Sequence, residues 1–175
     1  MSILTSEERN KLIAMPAEEF DAMMCKTFPE IFADRNAPMT VTCMCWGFSC
    51  GPGWYPLLFD LCQKIDYVSR RLGIIVTASQ VKEKFATLRF YWHGILRPKP
   101  QSDDLPTNMA MDDDIIDTLV SHAENESART CDVCGEYGKV YRICGWMRTL
   151  CAKHAAEEAA QKGTKFTEEP DSDMP

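Results

Sequence analysis

No apolar run in the 175-residue sequence approaches the roughly 20 residues that a membrane-spanning helix requires, so no membrane role is expected. Residues Met1–Glu8 lack a basic stretch followed by an apolar one and do not read as a secretory signal, which points to a cytoplasmic chain. Histidine is scarce, with only three residues to serve as bases or metal ligands. No internal repeat is visible, which excludes solenoids and propellers. The glycine-rich stretch Gly51-Pro52-Gly53 has neither the Lys-Ser/Thr of a P-loop nor the spaced glycines of a dinucleotide fold.

What is present suits a globular protein. Hydrophobic residues make up 45% and charged residues 26%, within the range of chains that bury a core. Nine cysteines without a secretory signal suggest a reducing compartment, where thiols pack or bind metal and seldom form disulfides. The net charge of −7 hides an uneven distribution. Residues 1–100 carry 12 Lys/Arg against 10 Asp/Glu, whereas 101–175 carry 7 against 16. Within 64–99 there are eight cations and two acids, Asp66 and Glu83. This basic stretch is either a solvated face or a surface for phosphate-bearing ligands.

Residues 74–92 look like the centre of the fold. Two β-branched and aromatic runs flank Lys82-Glu83-Lys84, and they predict a hairpin with those charges in its turn. On the second strand Ala86, Leu88, Phe90 and Trp92 share one face and Phe85, Thr87, Arg89 and Tyr91 the other. Both faces are largely apolar, so the hairpin is expected to be sandwiched. Upstream, Thr5-Ser6-Glu7-Glu8 is a capping-box pattern, and Pro16 opens a second helix carrying Phe20, Met23 and Met24. Phe28–Phe32 reads as a helical turn and Thr40–Trp46 as a strand. Leu57, Leu58, Leu61, Ile65, Val68 and Leu72 mark a long amphipathic helix stopped by Gly73. Residues 94–108 read as a loop, and Asp112-Asp113-Asp114 starts a helix by complementing its macrodipole.

The strongest chemical signal is Cys131-x-x-Cys134-Gly135 followed by Cys151-x-x-His154. Two thiols two residues apart form a knuckle, and Cys151 and His154 fall on one face at the start of a helix. A small hairpin turning at Cys144-Gly145 separates them, an arrangement that resembles a treble-clef zinc finger. Three cysteines and a histidine make a closed set, which argues for structural Zn2+ and against a catalytic ion. Asp132 and Glu136 make the finger a poor nucleic-acid reader. Cys43, Cys45 and Cys50 could hold a second metal or be buried thiols, and Cys50 before a helix start is a conceivable nucleophile.

Two further features suggest a ligand. Free backbone N–H groups at Gly51, Gly53 and Trp54 precede a helix and could cradle an anion, or could be a tight turn. Gln80, Lys82, Lys84 and Arg89 lie beside Tyr91, Trp92 and Trp46, and cations interleaved with rings suit bases or nucleotides. Such rings equally suit a core or a protein interface.

Trp46 with Cys50–Trp54, the string Gln80-Val81-Lys82-Glu83-Lys84-Phe85 with Leu88–Tyr91, and the Cys/His finger together resemble a family of short uncharacterised proteins of tailed bacteriophages and prophages. The likeness covers about Trp46 to His154. Two positions depart from it: the family commonly has glycine where Ala86 stands and often an acid at Pro52. The resemblance implies a phage-encoded accessory protein acting in the bacterial host cytoplasm, with no assigned activity.

The expected fold is α+β, with helices on a small antiparallel sheet and a C-terminal treble-clef-like finger. Its expected divisions are a core at 1–100, a linker and helix at 101–128, the finger at 129–162 and a disordered acidic tail at 163–175. The leading functional expectation is a non-enzymatic module that binds nucleic acid or a nucleotide. A protein-binding inhibitor of host machinery, such as a counter-defence factor, is the alternative. An enzyme is least favoured, because no base–nucleophile pair or open metal site is legible.

Overall fold

The computed structural model describes residues 4–98 and 113–169. The architecture is α+β, with two three-stranded sheets and a Cys3His cluster between residues 131 and 154. Helix α1 spans Ser6–Ile13 and begins with the expected capping box, in which the Glu8 N–H donates to Thr5 Oγ1 and the Thr5 N–H to Glu8 Oε2. Helix α2 is Ala17–Thr27, with Pro16 just outside it. Helix α3, Tyr55–Leu72, buries Leu58, Leu61, Cys62 and Ile65, and Gly73 ends it in the left-handed conformation at φ +68°. Each such aliphatic side chain removed from water contributes about 1.5–3 kcal/mol.

The central hairpin follows at once as β2, Ile74–Lys84, and β3, Thr87–Leu96. Its turn is not the charged triplet. Lys82 and Lys84 remain on β2, paired opposite Arg89 and Thr87, and the two-residue turn is Phe85-Ala86. Both turn residues have positive φ, +53° and +65°, the type I′ geometry whose twist matches that of antiparallel strands. Glycine at the second position would adopt this conformation without strain. Glu83 serves the turn by accepting the Ala86 N–H at 2.7 Å.

An irregularity in pairing at Ser79 changes which residues face the core. Before it Val76 and Ala78 are buried, and after it Val81 is buried, so the buried positions of β2 shift by one residue across the irregularity. The remaining face is only partly covered: Thr77 is buried, whereas Tyr91, His93 and Ile95 are exposed. The hairpin is therefore not fully sandwiched. The sheet is also mixed, because the two-residue β1, Phe48–Ser49, pairs parallel to β2. Thr40–Trp46 is no strand; it holds a turn and a 3-10 segment at Met44–Trp46, anchored where the Cys43 N–H donates to Ser79 O. The turn after α2 leads into a second 3-10 segment at Ala33–Asn36. Phe20 stacks on Tyr55 with centroids 3.7 Å apart and meets Phe48 edge-on at 5.3 Å, tying α2, α3 and β1 together.

Helix α4, Asp113–Ser127, belongs to this same core through Ile116, Val120 and Ala123. It also covers the outer edge of β3, where Ser127 Oγ accepts the Leu88 N–H at 2.8 Å and Glu124 Oε1 accepts the Phe90 N–H at 3.1 Å. Side chains thus satisfy backbone donors that would otherwise offer a pairing edge. Residues 99–112, including most of the expected linker and Asp112, lie outside the described residues.

The C-terminal unit is the hairpin β4, Lys139–Ile143, and β5, Trp146–Leu150, then α5, Ala152–Gln161, and β6, Phe166–Glu168. Strand β6, within the segment expected to be a disordered tail, pairs antiparallel with β4, and residues 170–175 of that segment lie outside the described residues. The hairpin turns at Cys144-Gly145 as read from the sequence. Its small core is Cys131, Tyr141, Ile143, Leu150, Ala155 and Ala159.

Left-handed backbone at a non-glycine residue costs about 1–2 kcal/mol. Replacing Phe85-Ala86 by Asn-Gly should therefore raise the urea midpoint without changing the denaturant slope. A lower midpoint would contradict the turn assignment.

Candidate metal centre

The sequence brings four ligand atoms together through three local structures. Cys131 and Cys134 sit on the knuckle, where the Gly135 N–H donates to Cys131 O and the Cys131 N–H to Glu136 O, closing a tight loop. Gly135 takes φ +73° there. Cys151 is the N-cap of α5 and His154 lies in its first turn. The four ligand atoms fall within 4.8 Å of one another. His154 Nδ1 is 3.4 Å from Cys131 Sγ and 3.2 Å from Cys151 Sγ, and Cys134 Sγ is 3.9 Å from Cys151 Sγ.

These distances fit a tetrahedral ion. Bonds of about 2.3 Å to sulfur and about 2.0–2.1 Å to nitrogen imply S···S near ~3.8 Å and S···N near ~3.5 Å. His154 presents Nδ1 to the sulfurs, and its Nε2 lies 3.8 Å from Glu157 Oε2, too far for a hydrogen bond. Burial pushes the Cys134 thiol up to about 12, against a backbone hydrogen bond at Glu136. For Cys151 burial also acts upward, but the backbone hydrogen bond at His154, hydrogen bonds from Cys134 and Cys131, and the Lys153 amide together outweigh it and lower the thiol. Amides directed at sulfur are the groups that stabilise a metal-bound thiolate. The three sulfurs and one ring nitrogen are enough to complete a four-coordinate shell around an ion.

The glycine loop packs against this centre. A Cβ at Gly51 would stand 2.1 Å from Asp132 O, and one at Gly53 would stand 2.1 Å from Cys131 O. The Gly53 N–H donates to Asp132 O at 2.8 Å, and Trp54, fully buried, donates its indole N–H to Thr130 O at 2.6 Å. The expected anion cradle is thereby overturned at Gly53 and Trp54. The Gly53 N–H is already used, the Trp54 N–H donates to Gly51 O at 3.2 Å, and both glycines are needed for close backbone approach.

Arg89 also leaves the expected ligand set. Its guanidinium is 3.3 Å from Glu124 Oε2 and is mostly buried against α4. The basic surplus of 64–99 shrinks in the same way: Lys64 pairs with Asp60, Arg70 with Asp66, and Arg97 with both Glu30 oxygens at 2.6 Å. Lys82 and Lys84 have no carboxylate partner among the described residues. Each instead lies over a ring, Lys82 over Tyr91 at 5.6 Å and Lys84 over Phe85 at 5.2 Å. Gln80 and Lys82, with Tyr91, Met39 and Val41, line an open depression of about 540 Å3.

Comparison with protein-family models, curated proteins and solved structures finds no match to the chain. Function must be argued from the geometry.

Asp132, which looks from the sequence like a surface acid, is buried and chelated by Arg148, with Nη2 2.8 and 2.6 Å from its two oxygens. Arg148 also reaches Glu158 at 2.7 Å, so knuckle, β5 and α5 share one guanidinium. No local pattern announces this pairing across sixteen residues. The Cys43, Cys45 and Cys50 metal reading is not realised: among the described residues only Cys131, Cys134, Cys151 and His154 form such a group. The nucleophile reading of Cys50 is overturned as well, since burial, with the Asp132 carboxylate adding to it, pushes that thiol up to about 12.

The purified full-length protein should carry one equivalent of metal, and Cys134→Ser should reduce this to near zero by elemental analysis. Gly53→Ala should cost at least about 3 kcal/mol in denaturant unfolding, because its methyl must displace backbone. Gly145→Ala, with nothing within 4 Å of its Cβ, should cost no more than the left-handed backbone penalty. Equal effects at the two glycines would contradict the docking described.

Proposed function

We propose that this chain is a non-enzymatic binding module, clamped by structural zinc, whose working surface is the lysine-bearing end of the β2–β3 hairpin. Zinc is the ion best suited to three thiolates and an imidazole in closed tetrahedral geometry. Structural zinc contributes an apparent ~10–16 kcal/mol in finger peptides, enough to order a unit whose apolar core is this small. The ligand class is phosphate-bearing: nucleic acid or a nucleotide. One observation carries this reading. Lys82 and Lys84, unlike Arg89 and Arg97 of the same hairpin, are left without a carboxylate partner among the described residues, and Lys82 borders an open depression beside an exposed tyrosine.

A protein partner is the second reading, favoured by the exposure of Met39, Val41 and Trp46, each about two-thirds accessible. A host protein inhibited by this contact would make the chain a counter-defence factor. The phage-encoded setting in a bacterial cytoplasm follows from the sequence resemblance alone. A tagged-protein capture from bacterial lysate that recovers a stoichiometric protein, lost with Met39→Asp or Val41→Asp, would favour this second reading.

For the first reading, affinity for a polyanion should fall as salt rises. Lys82→Ala and Lys84→Ala should each reduce the slope of log K against log salt by roughly 0.7–0.9. Arg89→Ala should act mainly by lowering stability. Unchanged affinity and slope in the double lysine variant would remove the phosphate-ligand reading.

A further inference from the structure

We infer that the phosphate-bearing ligand of this surface is a single-stranded polynucleotide, with one base stacked at Tyr91 and the flanking backbone held by Lys82 and Lys84. This rests on the binding surface proposed above and narrows its ligand.

The hairpin register places the relevant groups on one face. Gln80, Lys82 and Lys84 occupy successive outward positions on β2, and their partners on β3 are Tyr91, Arg89 and Thr87. Two residues along a strand advance about 6.4–6.8 Å. That step is comparable to the phosphate repeat of an extended polynucleotide, so the two ammonium groups can serve consecutive phosphates, whereas a mononucleotide would use only one. Glu124 has already neutralised Arg89, the third cation on this face. The electrostatic footprint is therefore narrow and linear.

The neutral groups select further. Tyr91 is 42% exposed, lines the depression and has the Lys82 ammonium 5.6 Å from its ring centre. A base stacking on this ring would replace the ammonium that lies over it, freeing that cation for the adjoining phosphate. Met39 and Val41 line the same depression and offer apolar area to a base but nothing to a phosphate. Gln80 supplies both an amide donor and an acceptor for a base edge. A duplex keeps its base faces stacked inside and would leave the tyrosine and the apolar groups without use. Tight duplex binding also draws on about 6–10 phosphate contacts, and two unpaired lysines do not supply them.

The test is fluorescence anisotropy on the full-length, metal-loaded protein with a labelled single-stranded oligonucleotide, the same sequence as a duplex, and a nucleoside monophosphate as competitor. Wild type should bind the single strand at least tenfold more tightly than the duplex, and the monophosphate should compete poorly. Tyr91→Ala should weaken single-strand binding about 5- to 150-fold, the equivalent of one stacked base. Tyr91→Phe, which keeps the ring, should restore most of it. Metal content and thermal midpoint of these variants should match wild type, since the side chain is exposed. Equal or tighter duplex binding, or a silent Tyr91→Ala, would overturn the single-strand inference and leave the phosphate-ligand reading standing. Binding of the monophosphate alone would do the same. Failure of every nucleic acid and of inorganic polyphosphate to bind would overturn both.

Discussion

Two carbonyl oxygens of the metal knuckle, those of Cys131 and Asp132, pass so close to Gly51 and Gly53 that no side chain could occupy either position. The rest of the structure is arranged around this backbone-to-backbone approach. It places the Gly53 N–H on Asp132 O, brings the Trp54 indole to Thr130 O, and sets Gly135 against Ile13 of α1. The finger is consequently an internal buttress and not an appendage. A metal that orders the knuckle also orders the surface on which α3 starts, and so acts on the main core as well as on the finger's own small one.

The same buttress reaches the hairpin end. Thr149 of β5 donates its hydroxyl to Ala86 O at 2.5 Å, inside the left-handed turn, and Ser127 at the end of α4 holds the next outward amide of β3. Both Thr149 and Ser127 are fully buried, so these hydrogen bonds are not traded for water. The turn residues are held in an unfavourable conformation by contacts from another part of the chain. This is how a sequence without the preferred Asn-Gly keeps a two-residue turn.

Charge is distributed by a related logic. Glu30, Asp60, Asp66 and Glu124 each neutralise a cation from the basic stretch, and the resulting pairs fasten the strand ends and helices. Arg97 holds the Glu30 carboxyl below the usual carboxylate range and links the end of β3 to the turn after α2. The buried Asp132 shows the opposite balance: desolvation raises its carboxyl even though Arg148 works to lower it. The Arg148 guanidinium that offsets this burial also contacts Glu158, and so ties the knuckle to β5 and α5.

The Cys/His ligands, the capping box at Thr5, the amphipathic α3 with its Gly73 stop, and the general course of the hairpin were all legible in the sequence. Each is set by neighbours within a few residues: a knuckle, a helix turn or a strand alternation is a local geometry. The turn position, the pairing irregularity at Ser79, the role of the glycine loop and the fate of Arg89 were not. They depend on groups 35 to about 80 residues away, such as Glu124 against Arg89 and Asp132 against Gly51. A sequence states that glycine is present but not whether an anion or another backbone needs the space. It states that an arginine is charged but not whether a carboxylate has claimed it. Local geometry fixed the spacing of the Cys/His pairs that could hold a metal and the elements that carry them. Long-range packing alone decided which of the basic and glycine residues were consumed in holding the fold and which remained facing solvent.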